Sequence, residues 1–336
     1  MSQTTFAGLS QRTTAWAIAE ALDHKRPIEV LADYGLTRPV PRNKAALVKF
    51  RRPVILALAK TPLTEGTPPA SKAMSYEDVP ATLRQYGDVV EITDVVQDLA
   101  EDPVLKDAME LVGEQSGETV ESLLWGVLKG STNKRYASSA NGSNDASVNE
   151  RLTTNLQRKI VRSLKDERGK KMTKKVSSSV QYGTEAMDAA FLAFAHTNCE
   201  SDIRDMTGFV ACEKYGSMVA LPYEIGKVED VRYICSPVLD SDANIGSTVA
   251  SAAGFLSTDG TNNDVYSIAF VAKDAYGHIS LKGSSAMKLY VTSPEQASKS
   301  DPLGQKGTVG WKTYWDGVIL NQAWMSVARV VVSDLL

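Results

Sequence analysis

The chain has little of the chemistry on which most enzymes depend. Only three of its 336 residues are cysteines and three are histidines. Cys199, Cys212 and Cys235 are too few and too far apart for a disulfide framework or a cysteine zinc site, so reduced thiols are expected. The histidines, His24, His196 and His278, are scattered. No phosphate loop of the form GxxxxGK[ST] occurs, and GQKGTVG (304–310) has the wrong spacing for a dinucleotide fingerprint. GxSxG and HExxH are also missing. With a net charge of −3 there is no basic excess, which argues against a dedicated nucleic-acid binder. No window approaches the roughly 18 apolar residues of a membrane span. The opening MSQTTFAGLSQRTTAWAIAEALDH lacks a basic start before an unbroken apolar core, so neither a signal peptide nor a membrane partner is expected. His196 lies three residues before Cys199, the spacing of a base and a nucleophile on one helix face. Both fall in an alanine-rich run expected to be buried helix, which makes a thiol enzyme the weakest reading. No catalytic, cofactor-binding or metal-ligating residue is assigned, and no cofactor is expected.

What the chain does have is a long helical pattern from Pro103 to Lys129. Leu105, Met109, Val112, Ser116, Val120, Leu124 and Val127 recur every three or four residues and line one face. Asp102 is placed to cap the first turn, Pro103 fits the first helical position and Gly130 supplies the stop. At 1.5 Å per residue the rod is about 40 Å long, which suits a scaffold better than a pocket. Gly113 and Gly117 mark either a close approach by another backbone or a break into two helices. Lys129, off the stripe, is expected to be dispensable.

Around this rod the pattern is mixed. Residues 1–43 form an arm with a short helix at Thr14–Leu22. Pro39 and Pro41 then favour extended chain and oppose regular pairing. Two β-like runs, KAALVKFRRPVILALAK and ATLRQYGDVVEIT, flank a connection broken by Pro62, Pro68, Pro69, Pro80 and Gly66. They are expected to pair as a long hairpin. Two strands alone are marginally stable, so such a hairpin needs a neighbour or its own domain to lie on. After a serine- and asparagine-rich loop, Leu152, Leu156, Ile160 and Leu164 mark an amphipathic helix ending near Asp166. Arg151, Arg158, Lys159, Arg162, Lys165, Arg168, Lys170, Lys171, Lys174 and Lys175 accompany it, as a solvated face with a flexible basic turn or as a phosphate-facing surface. Thr184 is expected to open a further helix, TEAMDAAFLAFAHTN. Strand-like runs follow at SMVALPYEI, DVRYICSPVL, VYSIAFVAK, HISLKG and MKLYVTS, interrupted by the loop-like SDANIGSTVASAAGFLSTDGTNND, and a β-branched section closes the chain. Helices mixed with mostly antiparallel strands, without βαβ alternation, indicate an α+β class.

The segments LADYGLTRPVPRNKAALVKFRRP, TPLTEGTPP, ATLRQYGDVVEITDVV, DPVLKDAMELVGEQSGETVESLLWGVLKG, YEIGKVEDVRYICSPVL and DPLGQKGTVGWKTYWDGVILNQAW resemble, in order and wording, the major capsid proteins of tailed bacteriophages of the N-four type, which share the Hong Kong 97 capsid fold. The loop after Arg135 and the insertion around 241–264 depart from it. The resemblance implies an N-terminal arm (1–43), an E-loop (44–93) and a P-domain spine helix (94–130). Residues 131–300 would be mainly A-domain with part of the P-domain, and 301–336 a return to the P-domain. It implies a virion shell subunit, not an enzyme, that assembles in the bacterial host cytoplasm into hexamers and pentamers around double-stranded DNA. Its partners would be a portal protein and scaffolding or decoration proteins. The alternative is an encapsulin-like nanocompartment shell, which has the same fold but encloses cargo enzymes. Lys60 and Lys72 flank the E-loop tip, and no cross-link is assigned to them.

Overall fold

The computed structural model describes residues 30–335 except 42, 44–45, 61, 64, 67, 69–70, 95–103, 140–141, 177–183, 217–218, 283–286 and 295–300. The expected Thr14–Leu22 helix, the Asp102 cap and Pro103 therefore lie outside the described residues. Strands β1 (Leu36–Val40), β2 (Leu47–Pro53), β3 (Tyr76–Thr82) and β4 (Arg84–Thr93) precede helix α1 (Val104–Lys129). After it come β5 (Lys134–Tyr136), α2 (Thr154–Asp166), β6 (Met172–Val176), β7 (Thr184–Ala195), α3 (Glu200–Arg204), β8 (Phe209–Ala211), β9 (Glu224–Val228) and β10 (Val231–Cys235). The chain closes with β11 (Tyr266–Val271), β12 (Tyr276–Leu281), β13 (Met287–Thr292), β14 (Lys306–Ile319) and β15 (Met325–Val330).

A large sheet runs β5-β15-β11-β7-β10-β9-β8, with β6 also paired to β7. Both of its faces are covered. Phe191, Ala193, Tyr233, Ile268 and Phe270 point to one core with Ile160, Val161 and Leu164 of α2. The alternate residues Leu192, Phe194, Ile234, Ala269 and Val271 point to a second core with Val120, Leu124, Trp125 and Leu128 of α1. This explains a correction: the alanine-rich run after Thr184 is the strand β7, not a helix. A strand buried on both faces reads as continuous apolar sequence and carries no period-two signal.

Helix α1 is unbroken through Gly113 and Gly117, both of which are buried. Its buried stripe follows the expected residues from Met109 to Leu124; Leu105 and Val127 at its ends are half-buried, and Trp125 and Leu128 take the place of Val127. The first half packs on a smaller sheet, where β14 is flanked by β4 on one side and by β12 and β13 on the other. There Ala108, Met109 and Val112 meet Met287, Leu289, Val309 and Trp311. The amphipathic helix is α2, as the leucine spacing predicts; the Thr153 side chain accepts from the Leu156 amide at 3.3 Å and caps it.

Three pairings differ from those the sequence suggests. LTRPV forms β1, parallel to β12 with Pro39 opposite Ser280, because an edge strand tolerates a residue without an N–H. β2 pairs with β3, placing Arg51 opposite Asp78 and Arg52 opposite Glu77, while RQYGDVVEIT leaves the hairpin as β4 and pairs with β14 along ten residues. The basic turn after α2 continues as β6 against β7. The 241–264 insertion is tied down by bridges Asp242↔Val265, Thr248↔Asn262 and Phe255↔Ser333.

Candidate assembly interface

Among the described residues, the β2–β3 hairpin buries side chains only towards its base. Phe50 and Ala81 join Val40 and Ile279 in a small core, and the Thr82 amide donates to Asp316 Oδ2 at 2.8 Å. Beyond Pro53, one further backbone bond among the described residues, Val54 N–H to the Ser75 carbonyl at 2.9 Å, closes the ladder. What projects past it is apolar and bare. Val54 is 48% exposed, Ile55 64%, Leu56 52% and Leu58 67%, with Leu63 and Met74 also in solvent. Four large aliphatic residues within five positions form an exposed extended segment, which an isolated soluble chain normally suppresses. Lys72, at the hairpin tip, donates to the Ala57 carbonyl at 3.3 Å. A second exposed apolar surface lies on β4 and β13, where Val89 and Tyr290 border an open cleft of about 650 Å³ lined also by Tyr86, Trp311 and Lys312, and Val90 is exposed on β4 next to Val89.

The chain entering β1 is fastened to the long helix. Glu121, fully buried on α1, accepts the Val30 and Leu31 amides at 3.1 and 2.8 Å, and the Tyr276 hydroxyl donates to the Leu31 carbonyl at 2.7 Å. Val30, Leu31 and Tyr34 complete the core around Leu124. At the other end of α1, Lys129, expected to be dispensable, is mostly buried and paired with two carboxylates. Its Nζ reaches Asp242 at 2.9 Å and Asp240 at 3.3 Å, and the buried Arg329 reaches the same Asp242 at 2.5 Å and Asp145 at 2.6 Å. Burial alone would raise the Asp242 carboxyl, but the hydrogen bonds from Lys129 and Arg329 outweigh it and hold it below the usual carboxylate range.

His196 and Cys199 make no catalytic pair. His196 follows the end of β7, and its Nδ1 accepts from the Asn198 amide at 2.9 Å. Burial holds its imidazole below the ordinary range. Cys199 is buried in the α2-side core, and desolvation, reinforced by Cys235 and Asp202, pushes its thiol well up. A nucleophilic cysteine needs the reverse. Among the described residues no group of His, Cys, Asp or Glu could hold a metal ion.

The phage capsid protein family matches residues 76–330, from the returning strand of the hairpin to the last strand of the large sheet. The chain belongs to the phage capsid protein family. Solved capsids have the same architecture. The capsid of Ralstonia phage GP4 is 11% identical with a TM-score of 0.62 and covers 93% of this chain and 89% of its own. The cyanophage Pam1 capsid is 13% identical, TM-score 0.59, and covers 93% of each chain. The head structure of Helicobacter pylori bacteriophage KHP40 is 11% identical, TM-score 0.57, and covers 90% and 88%. No curated protein sequence matches. The fold is the Hong Kong 97-type capsid fold, and the capsid protein builds a phage head shell. The sequence pattern marks the helix and the outgoing strand of the hairpin of this capsid protein, but not its returning strand or the role of Glu121. The available signal was an acidic residue in register with Leu124, Trp125 and Leu128, where the apolar stripe widens.

Much of the basic surface around α2 is already neutralised. Arg158 pairs with Glu229 at 2.5 Å, Lys165 and Lys171 share Asp230 at 2.6 and 2.8 Å, and Arg151 lies between Asp202 and Asp205. The hydrogen bonds from Lys165 and Lys171 lower the Asp230 pKa.

Proposed function

We propose that this capsid protein is of the N-four type, that it acts as a structural subunit and not as an enzyme, and that it closes first into hexamers and pentamers and then into an icosahedral head around double-stranded DNA. Residues 44–93 act as the E-loop, laid over a neighbouring subunit. Residues 1–43 act as the arm, 94–130 as the spine of the P-domain, 131–300 mainly as A-domain, and 301–336 as the return to the P-domain. A portal protein and scaffolding or decoration proteins are the partners such a shell requires, and assembly takes place in the host cytoplasm. One observation carries the reading: the Val54–Leu58 strip is apolar, extended and in solvent on the single chain. Burying it between chains supplies stabilisation of about 25 cal/mol per Å² that the lone hairpin cannot obtain. The wording of TPLTEGTPP and QYG supports the N-four type.

Electron microscopy of the expressed chain, followed by limited proteolysis, tests this. Closed shells are expected, with residues 54–75 cut in dispersed chains and resistant in shells. Equal resistance in both states contradicts the E-loop assignment.

A further inference from the structure

Between β5 and α2 lies an open cleft of about 690 Å³. Its wall carries Lys134 and Arg135 from β5 and Lys159 from α2, with Thr132 beside them, and no carboxylate. Among the described residues none of these three cations forms an ion pair, in contrast to Arg151, Arg158, Lys165 and Lys171 nearby. Lys134 and Arg135 are half-buried, and the Arg135 Nε is shut off from solvent without an acceptor. A buried donor left without a partner is costly, and three unopposed cations around one opening raise that cost. An oxyanion entering the cleft offsets the unopposed charge of Lys134, Arg135 and Lys159 that line it. The cations also continue outward. Arg162, one turn beyond Lys159 on α2, is exposed and has no acidic partner among the described residues.

We propose that this cleft seats phosphates of a nucleic-acid backbone. An open cleft leading onto a row of cations fits a polyanion, whose successive phosphates occupy successive cations; a single free ion would be better held by an enclosed site. Lysine and arginine bound to phosphate read no base, so the contact is indifferent to sequence. The proposal rests on the reading of the chain as a shell around a genome, and it narrows the phosphate-facing surface from the whole basic stretch to Lys134, Arg135, Lys159 and Arg162.

The test titrates the full chain with a short DNA duplex of arbitrary sequence over a range of salt. Three proteins are compared: the native chain, the triple variant Lys134→Gln, Arg135→Gln, Lys159→Gln, and a control with Arg158→Gln and Lys165→Gln. Each lost phosphate contact flattens the slope of log affinity against log salt by about 0.9, so the triple variant is expected to be shallower by roughly 2.7 and the control to stay near the native slope. A native slope in the triple variant, or an equal loss in the control, overturns the proposal. Displacement of the duplex by inorganic phosphate at matched phosphate concentration assigns the cleft to a free anion and also overturns it. If the triple variant does not fold, Lys159→Gln alone, on an exposed helical face, is expected to flatten the slope by about 0.9, and no change there is equally decisive. Shell formation is scored separately by microscopy. Normal shells with an unchanged slope reject the cleft and spare the capsid reading, whereas a native chain that forms no shells rejects the capsid reading whatever the slope.

Discussion

A Cβ on Gly317 would stand 3.0 Å from Leu124 Cδ1 and 2.7 Å from the Trp315 ring, so β14 gives up a side chain where Leu124 of α1 packs on it. Leu124 fills that space with no exposure. Leu124→Ala is expected to cost about 2–5 kcal/mol in a urea titration, and Leu124→Asp to prevent folding, because a buried carboxylate there has no partner. Lys129→Ala, harmless on a helical wheel, is expected to cost about 1–2 kcal/mol, since it strips a charged hydrogen bond from Asp242. The wheel could not show this, because Asp242 lies 113 positions along the chain and reaches Lys129 only through the fold. The pH dependence has a definite sign. Asp230 and Asp242 are held below their ordinary range in the folded chain, so their contribution is complete above about pH 4 and disappears as pH falls through the lowered values. Acid unfolding monitored by circular dichroism should show it, and Asp242→Asn should weaken the pH dependence in that window.

At the level of elements, α1 and α2 were legible because each buries one side only and keeps a 3.6-residue period. β7 was not, because the large sheet is covered on both faces and leaves no polar alternation to read. The hairpin was half legible. Its first run and its proline-rich tip are plain in the sequence, but the returning run supplies two strands, and whether YEDVPAT or RQYGDVVEIT pairs with β2 is decided by β14, more than 200 positions away. The exposed strip makes its own prediction. Ile55→Asp with Leu58→Asp is expected to leave the melting temperature of the dispersed chain unchanged, since neither side chain is in the fold's core, and to abolish shells on sedimentation. A loss of folding in that variant would mean that the strip folds back on its own chain.

For the molecule as a whole, the capsid fold was legible through the family wording, whereas the joints within it were not. Glu121 shows why: its partners are backbone amides, which leave no trace in side-chain pattern. Glu121→Ala is expected to strand the Val30 and Leu31 amides at about 1–3 kcal/mol each, and amide hydrogen exchange of Val30–Tyr34 should accelerate while the large sheet stays protected. Protection lost everywhere at once would show that this joint cannot open alone.

Because α1 has Met109 and Val112 set in the smaller sheet and Leu124, Trp125 and Leu128 set against the larger one, it is mechanically a beam clamped at both ends. Its 26 residues make a strut about 39 Å long. A load on one sheet is therefore expected to reach the other through that strut. Gly113 and Gly117 occupy the span between the clamps, where each lowers helix stability by about 1 kcal/mol relative to alanine, so this is the turn expected to yield first if the strut bends.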